Sequence, residues 1–368
     1  MEVTKDFLLD AGLALVAAVI ISFIATPAVK MFAQKVGAMD VPNEARRVHD
    51  HPIPRMGGLA IFIGFILSVV VFADVDKQVQ GILLGAVVVV LIGVVDDIVP
   101  LPAILKFVVQ IAAAAIAVFH GVKIEIFSNL NPFGSADFWI LGGLSVPVTI
   151  LWIVAITNSV NLIDGLDGLA VGVSAIACVT ILIIAVVLGQ WNVAIILAAL
   201  LGACIGFMPY NLNPAKIFMG DTGALLLGFL LATLSIIGLF KFYAVISFAV
   251  PFLCMGVPLF DTAFSFFRRL FKGQNPMKPD RGHFHHRLID MGLSQKQAVA
   301  ILYLISGLLG LAAVVITTSG EIKAIILVVA VAVAVGVVSF VLRGTRKKEA
   351  KPASSDAEQE AKDDEIEK

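Results

Sequence analysis

The chain has 368 residues, of which 59% are hydrophobic and 14% charged, with mean hydropathy +1.00 and a formal net charge of −1. A soluble domain carries about a quarter charged residues, so the composition excludes an ordinary soluble protein, points to an all-α polytopic membrane protein, and gives no reason to invoke a nucleic-acid partner. Cys178, Cys204 and Cys254 are scattered through apolar runs, which is the spacing of packing residues and of neither a disulfide framework nor a zinc knuckle.

Apolar runs of roughly 17–25 residues cross a bilayer as helices. Eleven are read here, at 7–29, 56–74, 79–95, 103–120, 141–160, 168–188, 192–209, 222–240, 243–267, 298–318 and 322–342. The first is too long and too weakly basic at its start for a cleaved signal peptide, so it is expected to stay as an anchor. The polar stretch "VPNEARRVHDHPIPRMGG" follows it, and "VVDDIVPLP", with Asp96 and Asp97, ends the third span. After the fourth span, "VKIEIF" alternates from Val122 to Phe127 and is followed by "NPFG" and "DFWIL", a pattern for a short external β-hairpin.

The fifth and sixth spans are joined by "NSVNLIDGLDGLA", with Asn158, Asn161, Asp164 and Asp167. The seventh and eighth are joined by "NLNPAKIFMGDTGALLLG", with Asn211, Asn213, Phe218 and Asp221. In span nine, "AVPFLCMGVPLF" places Pro251, Gly256 and Pro258 where the helix should kink. Three histidines in four positions come next, in "MKPDRGHFHHRLIDMGL". The charged segment from Gly344 lacks apolar periodicity, so residues 1–343 are read as the membrane domain and 344–368 as a disordered tail, its RKK cluster against anionic headgroups.

Basic residues set the orientation. With the N-terminus external, the outer segments hold Lys5, Lys77, Lys123, Lys241 and Lys323, leaving 21 of the 26 lysines and arginines on the other side. The N-terminus is therefore expected outside and the C-terminus in the cytoplasm. All the acidic groups above and the histidine loop then fall on the cytoplasmic face. Carboxylates bordering hydrocarbon are costly and mark functional sites; a pair can also simply cap a helix.

Five aspartates with an asparagine, and no cysteine, favour a hard cation such as Mg²⁺, which binds one or two carboxylates plus substrate phosphates. The glycines of "DGLDGLA" and "GDTGALLLG" let backbone approach closely and suit phosphate at helix starts, although close helix packing uses them too. Three readings are open for the histidine loop: zinc ligation, a solvated loop, and anion binding. The flanking Lys278, Arg281 and Arg287 favour His283, His285 and His286 as part of a lid over a diphosphate.

Taken together, "DD" at 96–97, "NLIDGLDGLA", "FMGDTGALLLG", "DRGHFHHRL" and "VPNEARRVHDHPIPRMGG" resemble the polyprenyl-phosphate N-acetylhexosamine-1-phosphate transferases over roughly residues 7–342. The H-x-H-H form is similar to the UDP-GlcNAc branch, which initiates wall teichoic acid, O-antigen or enterobacterial common antigen, rather than to the peptidoglycan branch. The resemblance implies transfer of GlcNAc-1-phosphate from UDP-GlcNAc to undecaprenyl phosphate at the bacterial plasma membrane, with Mg²⁺ (or Mn²⁺) as cofactor and a homodimer as one assembly known in the family. It implies Asp221 as a metal ligand with Asn161 as a second. It places Asp96 and Asp97 where lipid phosphate meets sugar nucleotide, Asp164 and Asp167 on the nucleotide side, Asn211 and Phe218 on uracil, and the His/Arg loop over the diphosphate. The rivals are a transporter, whose site would lie near the bilayer midplane, and an intramembrane zinc hydrolase.

Overall fold

The computed structural model describes residues 2–42, 51–128, 138–239, 249–273 and 283–319. Helix α1 (Glu2–Val36) is followed by a two-residue antiparallel ladder of β1 (Met39–Asp40) and β2 (Ile53–Pro54). Helices α2 (Gly58–Phe72), α3 (Lys77–Ile98) and α4 (Ala103–Phe119) lead to a second ladder of β3 (Ile126–Ser128) and β4 (Phe138–Ile140). Then come α5 (Ser145–Ile163), α6 (Leu169–Val187), α7 (Trp191–Asn211), α8 (Gly220–Leu239), α9 (Ala249–Cys254), α10 (Gly256–Phe271), the short α11 (Phe284–Asp290) and α12 (Gln295–Ser319).

In hydrocarbon every backbone polar group must be paired within its own segment, which is why these apolar runs are helices. Seven of the described helical segments are long and apolar enough to cross a bilayer, and α2 and α4 are shorter apolar helices. The protein is thus an all-helical, multi-pass membrane protein. The expected ninth span is interrupted at Met255, between Pro251 and Pro258, and continues as α9 and α10. The expected eleventh span and the charged tail lie outside the described residues. The hairpin pairs Ile126 with Ile140 and begins later than the alternation suggested. The reason is packing: Val122 and Ile124 are buried, and the Ile124 N–H donates to Thr149 Oγ1 of α5 at 2.9 Å.

Helix α8 organises the bundle. Every residue of it except Asp221 is buried, because α2, α3, α5 and α6 surround it. Small residues let those backbones close in. A Cβ on Gly58 of α2 would stand 2.0 Å from the Gly223 nitrogen, and one on Gly93 of α3 would stand 2.5 Å from Thr222 Cα. Both contacts fall on the first turn of α8, so that turn is held by backbone against backbone. Polar bonds between helices add to this: Trp152 Nε1 donates to Ser235 Oγ at 3.2 Å, and Ser22 Oγ to the Ala203 carbonyl at 2.8 Å.

Candidate active site

Successive helices run up and down, so alternate ends meet at one edge of the bundle. The C-terminal ends of α3, α5 and α7 gather there with the N-terminal ends of α4, α6, α8 and α12. Lys106, on the first turn of α4, joins two of them: its Nζ lies 2.7 Å from Asp221 Oδ2 and 3.1 Å from Asp96 Oδ2. Asp96 also accepts the Leu101 N–H at 2.7 Å. Asn161, near the end of α5, donates to Asp221 Oδ1 at 3.2 Å, and an Arg55 guanidinium nitrogen stands 4.0 Å from the same oxygen.

Asp97 has a different position from its neighbour. Its side chain is wholly buried and turned onto the start of α8, accepting from the Asp221 N–H at 2.9 Å, the Thr222 N–H at 3.1 Å and Thr222 Oγ1 at 2.6 Å. Arg55 Nε stands 3.6 Å from it. The arrangement is a helix cap supplied from another helix: it satisfies free first-turn donors of α8 and sets a negative charge at the positive end of the helix. Gly220 makes it possible, since a Cβ there would meet the Asp97 carboxylate at 2.4 Å and its φ of +71° suits glycine.

Beside this cluster lies a cavity of about 480 Å³, lined among others by Asn161, Asp164, Asp167, Asn211, Phe218, Asp221 and His286. Asp40, His51, Arg55, Asn213 and Gln295 complete its polar wall. Asp167 accepts from Asn213 Nδ2 at 2.9 Å and from the Ala215 N–H at 3.0 Å, and Asn213 also donates to Gln295 Oε1. Phe218 is fixed by its backbone, which bonds to Pro54 and Gly57. Buried Asn211 donates to the Ile217 carbonyl at 3.0 Å. Desolvation, helped by the charge of Asp221, pushes the Asp164 carboxyl up to about 7.

The three histidines divide their positions. His283 is buried, with Nδ1 3.0 Å from Asp261 Oδ2 of α10. His285 is buried against the "DGLDG" turn, where a Cβ on Gly165 would meet its Nε2 at 2.4 Å, and burial pulls its pKa down to about 3. His286 alone of the three lines the cavity. Arg287 lies outside the cavity lining, its guanidinium 4.8 Å above the Phe264 ring. Arg281 and Lys278 fall outside the described residues.

Asp96, Asp97, His283, His285 and Arg287 therefore stand behind the wall, and Asn161, Asp164, Asp167, Asn211, Phe218, Asp221 and His286 form it. Among the described residues no three or more histidine, cysteine, aspartate or glutamate side chains group as a metal site. Asp221 and Asn161 both line the cavity, and a carboxylate and an amide there could hold an ion whose shell is completed by phosphate and water. Sequence reasoning missed Lys106 and Asp261. A lysine in "AILKFVVQIAAAAIAVF" and an aspartate in "GVPLFDTAFSFF" were the signals, each a charge inside an apolar helix.

A sequence profile of glycosyl transferase family 4 matches residues 79–239. The chain is 42% identical over 297 residues to a probable undecaprenyl-phosphate N-acetylglucosaminyl 1-phosphate transferase of Bacillus subtilis, covering 80% of this chain and 82% of that protein. It is 35% identical over 325 residues to a decaprenyl-phosphate N-acetylglucosaminephosphotransferase of Mycobacterium tuberculosis, covering 80% of each. To an undecaprenyl-phosphate alpha-N-acetylglucosaminyl 1-phosphate transferase of Escherichia coli it is 31% identical over 284 residues, covering 75% of this chain and 76% of the other.

Proposed function

The chain belongs to glycosyl transferase family 4, the polyprenyl-phosphate hexosamine-1-phosphate transferases, and on that premise we propose that it moves GlcNAc-1-phosphate from UDP-GlcNAc to undecaprenyl phosphate. UMP leaves, and GlcNAc-diphospho-undecaprenol remains in the membrane. The observation that carries this reading is the position of Asp221: it faces a polar cavity at the edge of an apolar bundle, between the side-chain amide of Asn161 and the cations Lys106 and Arg55. That edge is where a lipid phosphate and a water-soluble nucleotide can meet; a transporter site would sit at mid-bilayer.

An acceptor phosphate oxygen attacks the β-phosphorus of the donor, one phosphoanhydride forming as another breaks. The protein's task is to align two anions and offset their repulsion. Asp221 and Asn161 would hold Mg²⁺, which when bound screens the phosphates and stabilises the leaving UMP. Lys106 and Arg55 supply further positive charge next to Asp221, and His286, which lines the same cavity, offers ring nitrogens to the diphosphate. Phe218 and Asn211 suit a uracil ring, by stacking and by an amide edge. Asp96 is held by Lys106 beside this charge cluster, and Asp97 keeps the α8 turn that carries Asp221. Direct attack needs no covalent enzyme intermediate, and we favour it.

We further propose eleven spans with the N-terminus outside, the cavity opening to the cytoplasmic face of a bacterial plasma membrane, and a place as the first membrane step of a cell-envelope glycopolymer. The lysine and arginine distribution supports the orientation. The test is purified full-length protein with UDP-[¹⁴C]GlcNAc, undecaprenyl phosphate and Mg²⁺, followed by extraction of label into chloroform. Extraction should require both lipid and metal. Label that stays aqueous, or extracts only with a different UDP-N-acetylhexosamine, would overturn the assigned activity or the assigned sugar respectively.

A further inference from the structure

Asp261 lies five residues into α10, just beyond the break at Met255, with a side chain only 5% exposed. Both of its oxygens are engaged by one short segment. Oδ2 is 3.0 Å from His283 Nδ1, and Oδ1 accepts the Phe284 N–H at 2.6 Å. Helix α11 has seven residues and no cap from its own N-cap side chain, so Asp261 supplies the cap from across the fold. A helix this short does not hold itself in water; it needs such an anchor. A second tie comes from the same face of α10, three residues on, where Phe264 lies beneath Arg287.

From His283 the contact passes along neighbouring imidazole rings. The His283 and His285 centroids are 5.8 Å apart with planes 12° from parallel, and the His285 and His286 centroids are 4.2 Å apart with planes tilted by 44°. The middle ring has no slack, because its Nε2 abuts the Gly165 backbone. His286 ends the series on the cavity wall, close to the turn that carries Asp164 and Asp167. Close-packed interiors pass displacements on rather than absorb them.

We propose that Asp261 is a positioning residue for sugar-phosphate transfer: by gripping His283 and the start of α11 it fixes a series of three neighbouring imidazoles whose last ring, His286, meets the donor diphosphate. The proposal rests on the transferase reading above. It also explains why a carboxylate persists inside an apolar, phenylalanine-rich helix, where its removal would leave the His283 ring and the Phe284 N–H without partners.

The test is a double-mutant cycle on the full chain in detergent, using Asp261→Asn, His286→Gln and the pair. Asparagine keeps the size of Asp261 but offers a single acceptor oxygen where two now work. The expected result is a kcat lowered on the order of 10- to 100-fold by Asp261→Asn, as for misplacement of a group distant from the chemistry, with KM for undecaprenyl phosphate unchanged. In the His286→Gln background the same change should cost almost nothing more, because both substitutions remove one function. Parent-like kcat in Asp261→Asn, or losses that multiply in the pair, would overturn the proposal, multiplication being the mark of a role in stability alone. Should Asp261→Asn fail to fold, Asp261→Glu carries the same cycle, since one added methylene displaces both oxygens while keeping the charge. A parent that moves no label into lipid fails the transferase reading itself and is distinguished before any variant is compared.

Discussion

Replacing Asp97 separates a residue that reacts from one that holds. Its carboxylate accepts three bonds from the first residues of α8, at 2.6, 2.9 and 3.1 Å, inside fully buried surroundings. Bonds to a charged acceptor contribute about 1.5–3 kcal/mol each. Asp97→Asn keeps one accepting oxygen and turns an NH₂ group toward donors, so one to two bonds are lost and the expected cost is about 2–5 kcal/mol. Since Asp221 belongs to the same turn, activity and stability should fall together. Thermal unfolding in detergent, followed by tryptophan fluorescence, should show a midpoint several degrees below the parent, and radiochemical transfer should drop by at least an order of magnitude. An Asp97→Asn protein as stable as the parent yet inactive would refute the capping argument and mark the carboxylate as one that acts on substrate.

Asp221→Asn removes a charged oxygen ligand at nearly constant volume, so transfer should be lost while the unfolding midpoint stays close to the parent; parent-like transfer at limiting Mg²⁺ would take Asp221 out of the metal site. Gly165→Ala places a Cβ 2.4 Å from His285 Nε2, and overpacking of this kind costs about 1–3 kcal/mol, measurable as a lower midpoint together with weaker UDP-GlcNAc use. For His285 the folded value of about 3 lies below the ordinary 6.5, so between these values the unfolded chain binds the extra proton and stability falls as pH drops. The parent should therefore lose more stability than His285→Gln on going from pH 6.5 to 5, and identical slopes would contradict a neutral, buried ring.

Much of this architecture could be read from the chain because bilayer physics leaves few choices. Apolar runs of the right length became helices, the Pro251–Pro258 stretch broke its span, and polar residues at alternate helix ends came together at one edge. Individual roles were harder. Asp96 and Asp97 are adjacent and chemically identical, but one helical step of about 100° turns one toward Lys106 and the other onto α8. H-x-H-H appears as a single motif, yet only His286 reaches the cavity, since a helix turns successive side chains in different directions. Lys106 and Asp261 each have a partner in a distant element, and periodicity within one helix carries no trace of such a pairing.

The glycines that built this cavity also limit how it can change. Gly165 and Gly220 both line it; one abuts His285, and the other pairs a positive φ with a carboxylate where its Cβ would go. No single substitution at either position can add a side chain without displacing the groups that make the site. An inhibitor resting its weight on those two stretches of main chain would therefore meet a surface that drug resistance can hardly reshape, and escape would have to come from the side chains around it, such as His51, Asn213 or Gln295.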